Sequence, residues 1–190
     1  MRSILGDGMR ITIVGRGNIG GGLAKRWESA GHEVTTLGRQ GGHASDAEVV
    51  VIAVPGDAIA EALGKVTGAG GKITIDATNS YSARTEGFPS LAHQVRSIIG
   101  GPTAKSFNLN FASTYDFIDG ERIAPSNLFA ADPGARPVTE RLNRDAGFDP
   151  VFIGDLSMAR LMEDQVGVLS AIAEGLGGSF FYRYARPGNL

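Results

Sequence analysis

The chain has 190 residues, a formal net charge of -2, a pI near 5.9 and a mean hydropathy of -0.02. Nearly balanced charge gives no basic footprint for nucleic acid, and the absence of cysteine excludes disulfides, thiolate-held clusters and thiol catalysis. No apolar run approaches the ~18 residues of a membrane span, and the N-terminus lacks a secretory pattern. These features lead us to expect a cytoplasmic α/β protein of one domain, residues 9–190, with residues 1–8 as a flexible extension ahead of Met9.

The first predicted element is a β-branched strand over residues 11–14, which runs straight into Gly15-Arg16-Gly17-Asn18-Ile19-Gly20. With 28 glycines in the chain, a G-x-G-x-x-G match arises easily, so its flanks carry the reading. Leu23, Ala24, Trp27 and Ala30 have the spacing of a buried helix face, and Gly31 falls where a helix C-cap would. In a strand–turn–helix of this kind Gly15 permits the tight turn, Gly17 lets backbone N–H groups approach a pyrophosphate, and Gly20 lets helix and strand pack closely. The phosphates then face a helix N-terminus, which suits anions without a lysine. Gly15, Arg16, Gly17, Asn18, Ile19 and Gly20 are therefore candidate cofactor-binding residues.

A second strand is expected over residues 33–37. An NAD site asks for Asp or Glu about 20 residues beyond the glycines, to bind the adenosine ribose. The chain offers Gly38-Arg39 instead, and Arg16 in the glycine loop is within reach of the same end. A guanidinium suits a 2′-phosphate because its planar fork makes two charge-assisted hydrogen bonds. The cofactor read from these residues is NADP(H).

A third, almost continuously apolar strand spans residues 49–54, as a central strand buried on both faces should. The short, glycine-bearing segment before it leaves little room for a helix, so the adenosine side of the pocket should be open. Pro55 and Gly56 end this strand, and a helix is predicted over 57–66, followed by a strand over 72–76. A polar loop then carries Asn79, Pro89 is expected in the first turn of a helix running to Ile99, and 103–107 is a strand. Further elements are a strand over 127–131, helices over 133–146 and 156–176, and a strand over 151–153. The aromatic tail, 179–184, is expected to pack against a partner.

This alternation defines a Rossmann-type, doubly wound, mainly parallel sheet with a small C-terminal helical addition. Ligands in such sheets lie outside the strand C-termini. Ala53, Val54, Pro55 and Asn79 are accordingly candidates for the nicotinamide side, and Asn108 and Phe111 for a second substrate. His32, His43 and His93 are scattered, with no triad or metal spacing, so no catalytic residue and no metal ligand is assigned. Arg160, Glu163 and Asp164 read as a solvated helix face.

The start M-R-I-T-I-V-G-R-G-N-I-G-G-G-L-A, the Gly38-Arg39 pair, V-V-V-I-A-V-P, I-T-I-D-A-T-N, K-S-F-N at 105–108, and L-F-A-A-D-P-G-A through G-F-D-P-V-F-I-G-D-L together resemble the deazaflavin (coenzyme F-420)-dependent NADP oxidoreductase family. The resemblance covers residues 9–176, and its specificity rests mainly on the second half. It implies NADP(H) on the glycine loop, a deazaflavin as second substrate stacked on the nicotinamide, and a homodimer. Direct hydride transfer of this kind needs ring alignment more than a nucleophile. The readings left beside it are reduction of a ferric, flavin or imine acceptor, and a non-catalytic NADP(H)-binding sensor.

Overall fold

In the computed structural model, residues 8–79 and 87–188 are described. The expected N-terminal extension lies outside them, apart from Gly8. The elements run β1 (Arg10–Val14), α1 (Asn18–Ser29), β2 (Glu33–Leu37), β3 (Gly42–His43), β4 (Val49–Ile52), α2 (Ile59–Leu63), β5 (Val66–Thr67), β6 (Ile73–Asp76), α3 (Leu91–Ile99), β7 (Thr103–Ser106), β8 (Ser126–Ala131), α4 (Arg136–Asp145), β9 (Asp149–Phe152) and α5 (Ala159–Leu176). Short 3-10 segments occupy Gly56–Ala58, Ala112–Gly120 and Leu156–Met158. Among the described residues no helix is long and apolar enough to cross a membrane.

Seven strands form one sheet in the order β2-β1-β4-β6-β7-β8-β9, parallel throughout except for the antiparallel β7–β8 pair. The layering follows from side-chain alternation on β4, where every residue is buried. Val49 and Val51 join one core with Ile11, Ile13, Leu23, Trp27 and Phe107. Val50 and Ile52 join the opposite core with Leu37, Ile59, Leu63, Leu91 and Val95. Helices therefore cover both faces, as a doubly wound sheet requires.

Several boundaries differ from the sequence reading. The helix expected over 57–66 is shortened to a 3-10 turn and α2, because Val66 and Thr67 leave it to pair in parallel with Gly42 and His43 in a separate two-stranded sheet. Pro89 lies just outside α3, whose N-cap is Ser90, its Oγ accepting from the His93 N–H. The aromatic tail packs on its own chain. Phe180 and Tyr182 join a core with Leu128 and Met162, and the Ser126 N–H donates to the Tyr182 carbonyl at 2.9 Å.

The chain leaves β1 toward β2 on one side and returns through β4 on the other, so the sheet's switch point lies between β1 and β4. Ligand crevices in such sheets open at that point, beyond the strand C-termini.

Candidate dinucleotide and acceptor cleft

At the switch point the glycines do different work. Gly15 has φ +119°, and a Cβ there would stand 2.2 Å from the Ala53 carbonyl oxygen, so no other residue fits the β1–α1 turn. A Cβ at Gly20 would meet the Gly15 carbonyl oxygen at 2.1 Å; this buried position secures helix-on-strand packing and does not line the cleft. Gly17 has nothing within 4 Å of its Cβ position and is the N-cap of α1. No side chain caps that helix, and its first turn holds no acidic residue. The amides of the first turn therefore remain available to an anion, as a pyrophosphate site needs.

From this loop the cleft extends in two directions. The adenosine-side chamber, about 690 Å³, is lined by Gly15, Arg16, Gly17, Gly38, Arg39, Glu61 and Lys65, with Ala53, Val54, Pro55, Ala58 and Ala62 as its apolar wall. Arg16 donates from Nε and Nη2 to the Thr36 carbonyl at 3.2 and 3.0 Å, which lays its guanidinium along Gly38. A Cβ at Gly38 would stand 3.4 Å from the Arg16 Nε, so glycine here leaves the guanidinium room. Arg39 is exposed. No helix fills the stretch between β2 and β4, so this side stays open as expected.

The second chamber, about 400 Å³, is lined by Gly17, Asn18, Ile19, Asn79, Asn108 and Phe111, and by Val166, Leu169 and Ser170 of α5. Both predicted second-substrate residues, Asn108 and Phe111, are therefore in it. Ala53, Val54 and Pro55 line both chambers, so they form the saddle between them rather than belonging to the nicotinamide side alone. Asn79 and Asn108 are clasped: Asn79 Nδ2 donates to the Asn108 carbonyl at 2.6 Å, and Asn108 Nδ2 donates to Asn79 Oδ1 at 3.0 Å. Asn108 Oδ1 and Asn110 Oδ1 are buried acceptors without a protein partner.

The sequence reading missed what holds this chamber. Lys105 and Asp76 occupy paired positions on β7 and β6, and both side chains are fully buried. Lys105 Nζ lies 2.7 Å from Asp76 Oδ2 and 3.1 Å from Glu163 Oε1, and donates to the Thr78 carbonyl at 2.6 Å. Asp76 Oδ1 accepts from the Thr78 N–H at 2.9 Å, so this ionic group shapes the loop that carries Asn79. Glu163, expected on a solvated face, instead turns inward and also accepts from the Leu91 N–H at the start of α3. Asp164 is exposed, as a solvated face would have it, and pairs with the half-buried Arg160, holding its guanidinium above its usual pKa. A charge within each of two neighbouring predicted strands, Asp76 at the end of β6 and Lys105 inside β7, was the available signal, since unpaired burial of either would be prohibitive.

Phe107 is the other missed device. It is the non-glycine residue with positive φ, +63°, among the described residues, and this left-handed step turns the chain out of β7 into Asn108. Such a conformation costs roughly 1–2 kcal/mol. Its ring is fully buried, edge-on to Trp27 with centroids 5.6 Å apart and near Phe148 at 6.2 Å, and that packing offsets the strain.

Sheet order, glycine turn and crevice together define a Rossmann-type dinucleotide-binding fold. No family model matches the chain, and no curated protein does. Solved structures do. A provisionally named F420-dependent NADP-reductase from Arthrobacter sp. FB24 is similar at TM-score 0.79 and 25% identity, over 94% of this chain and 100% of its own. A hypothetical protein, SMa0349 from Sinorhizobium meliloti, is similar at TM-score 0.61 and 23% identity, over 79% of this chain and 86% of its own. An imine reductase from Aspergillus terreus, solved with NADPH4, is similar at TM-score 0.64 and 14% identity; the match covers 90% of this chain and 63% of the reductase.

Proposed function

We propose that this protein is an NADP(H)-dependent oxidoreductase that passes a hydride directly between NADPH and a deazaflavin coenzyme of the F-420 class. The observation that carries this reading is the two-chamber cleft: cationic at the adenosine end, apolar and amide-lined at the other, and joined over the Ala53–Val54–Pro55 saddle. Arg39 and Arg16 bind the 2′-phosphate, the first-turn amides of α1 bind the pyrophosphate, and the Asn79–Asn108 clasp orients the carboxamide. Bound NADPH supplies the hydride; the protein supplies alignment and a partly dry cleft. Phe111, whose ring lies 5.6 Å from that of Phe180, gives the second chamber an aromatic wall for a flat acceptor.

Two further observations favour a deazaflavin over an imine. Among the described residues the second chamber is lined by amide, hydroxyl and apolar groups alone, which suits an acceptor that needs no protein acid. The structure similar over the whole of its own length, at 25% identity, is named for F420, whereas the imine reductase matches at 14%. A cytoplasmic homodimer belongs to the same reading. Leu161, Val168, Ile172 and Leu176 are exposed along α5, and sedimentation of the protein tests whether that stripe joins two copies.

The reaction is tested by supplying NADPH with the oxidised deazaflavin coenzyme, and in parallel with flavin mononucleotide, a ferric chelate and a cyclic imine. Bleaching of the deazaflavin band at a rate well above the other acceptors is expected. Turnover confined to the imine would replace this reading, and tight NADPH binding without any turnover would point to a sensor or to a reductase of a different acceptor.

A further inference from the structure

The adenosine mouth holds two charged side chains that the reading above does not use. Lys65 follows α2, and its backbone is pinned against the loop after β2: the Gly42 N–H donates to the Lys65 carbonyl at 3.1 Å. A Cβ at Gly41, where φ is +75°, would stand 2.0 Å from that carbonyl oxygen. The base of the Lys65 side chain is thus fixed against Gly41, and the side chain, 44% exposed, carries its ammonium to 2.6 Å from Glu61 Oε1. Both residues line the same chamber as Arg16 and Arg39.

We infer that Lys65 is a third ligand of the cofactor's 2′-phosphate and that Glu61 is a built-in competitor, a carboxylate that the phosphate must displace from Lys65. This inference rests on the NADP(H) reading above. The chamber presents Arg16, Arg39 and Lys65 against one carboxylate, a surplus of two positive charges that matches a phosphate monoester dianion. The Lys65 ammonium, aided by Arg39, holds the Glu61 carboxyl below its usual pKa, so it is ionised at neutral pH. By reciprocity, Glu61 draws on the field of Arg39 as well as that of Lys65. A 2′-hydroxyl cannot outbid a carboxylate for an ammonium, whereas a phosphate can, and Lys65 is free to swing on its flexible stem. NADH therefore leaves the Glu61–Lys65 pair intact, while NADPH exchanges it for a stronger one.

The test titrates NADPH, NADH, 2′,5′-ADP and 5′-AMP into the full-length protein and its variants, each checked by thermal melting. Lys65→Gln is expected to weaken NADPH and 2′,5′-ADP about fivefold to tenfold and to leave NADH and 5′-AMP unchanged. Glu61→Gln is expected to tighten NADPH about threefold, with little change for NADH, and the double variant should lose that gain because the two residues act through each other. Unchanged NADPH binding in Lys65→Gln, equal losses for both dinucleotides, or no tightening in Glu61→Gln would overturn the inference. Failure of the underlying reading looks different: wild-type protein would not prefer NADPH, or Arg39→Ala would weaken both dinucleotides alike. A selective loss in Arg39→Ala with a silent Lys65→Gln would remove Lys65 alone from the site.

Discussion

The two chambers of the cleft are built in opposite ways. The adenosine end is assembled from residues close to their own strand ends, with Arg16, Gly38 and Arg39 following β1 and β2 directly and both guanidinium side chains exposed. The second chamber depends on partners distant in sequence: Asn79 on Asn108, the loop below it on Lys105, and Lys105 on Glu163 of α5. An exposed, local site responds to each change by a modest step, because solvent screens its charges and coupling is confined to close neighbours such as Glu61 and Lys65. A buried, long-range site stands or falls as a unit, since removing one charge strands the others in low dielectric.

The largest effect expected from breaking this contrast is at Lys105. Lys105→Met leaves Asp76 and Glu163 without their cation, and should lower unfolding stability by about 3–5 kcal/mol, measured by denaturant melting. In whatever fraction stays folded, 2′,5′-ADP affinity should persist while hydride transfer is lost. Arg39→Ala does the reverse: NADPH affinity should fall about ten- to hundredfold by titration, NADH affinity should hardly move, and the melting curve should stay put. Asn79→Ala, which opens the amide clasp, should cost about tenfold in kcat/KM with 2′,5′-ADP binding unchanged, as expected for one lost orienting hydrogen bond. The smallest effect is at the α3 cap, where Ser90→Ala should cost about 1 kcal/mol of stability and leave both chambers' ligands bound as before.

The same contrast explains what the sequence disclosed. Gly15, Gly17 and Gly20, the strand at Val49–Ile52 and the Gly38-Arg39 pair were legible because the physics that requires them is local: a tight turn, a buried central strand, an exposed charge at a strand end. Asn108 and Phe111, which the strand-end rule put beside the crevice, both line its second chamber. Glu163 was read as solvated because helical spacing shows which face a residue occupies, not that a buried ammonium waits on another strand. The positive φ of Phe107 left no trace either, since a bulky aromatic is the residue least expected there. The truncation of α2 was hidden by Val66, whose apolar side chain suits a helix face as well as the small parallel pair it forms with Gly42.

The central claim, direct transfer between two rings held together in the second chamber, is tested most simply by isotope. NADPH carrying deuterium at nicotinamide carbon-4, in separate preparations labelled on each face, is incubated with the protein and the oxidised deazaflavin coenzyme in ordinary water, and the reduced coenzyme is examined by mass spectrometry. The account predicts one deuterium in the product from one of the two labelled faces and none from the other, because a fixed cleft presents a single face. Unlabelled product from both preparations, with NADPH consumed, would contradict direct transfer.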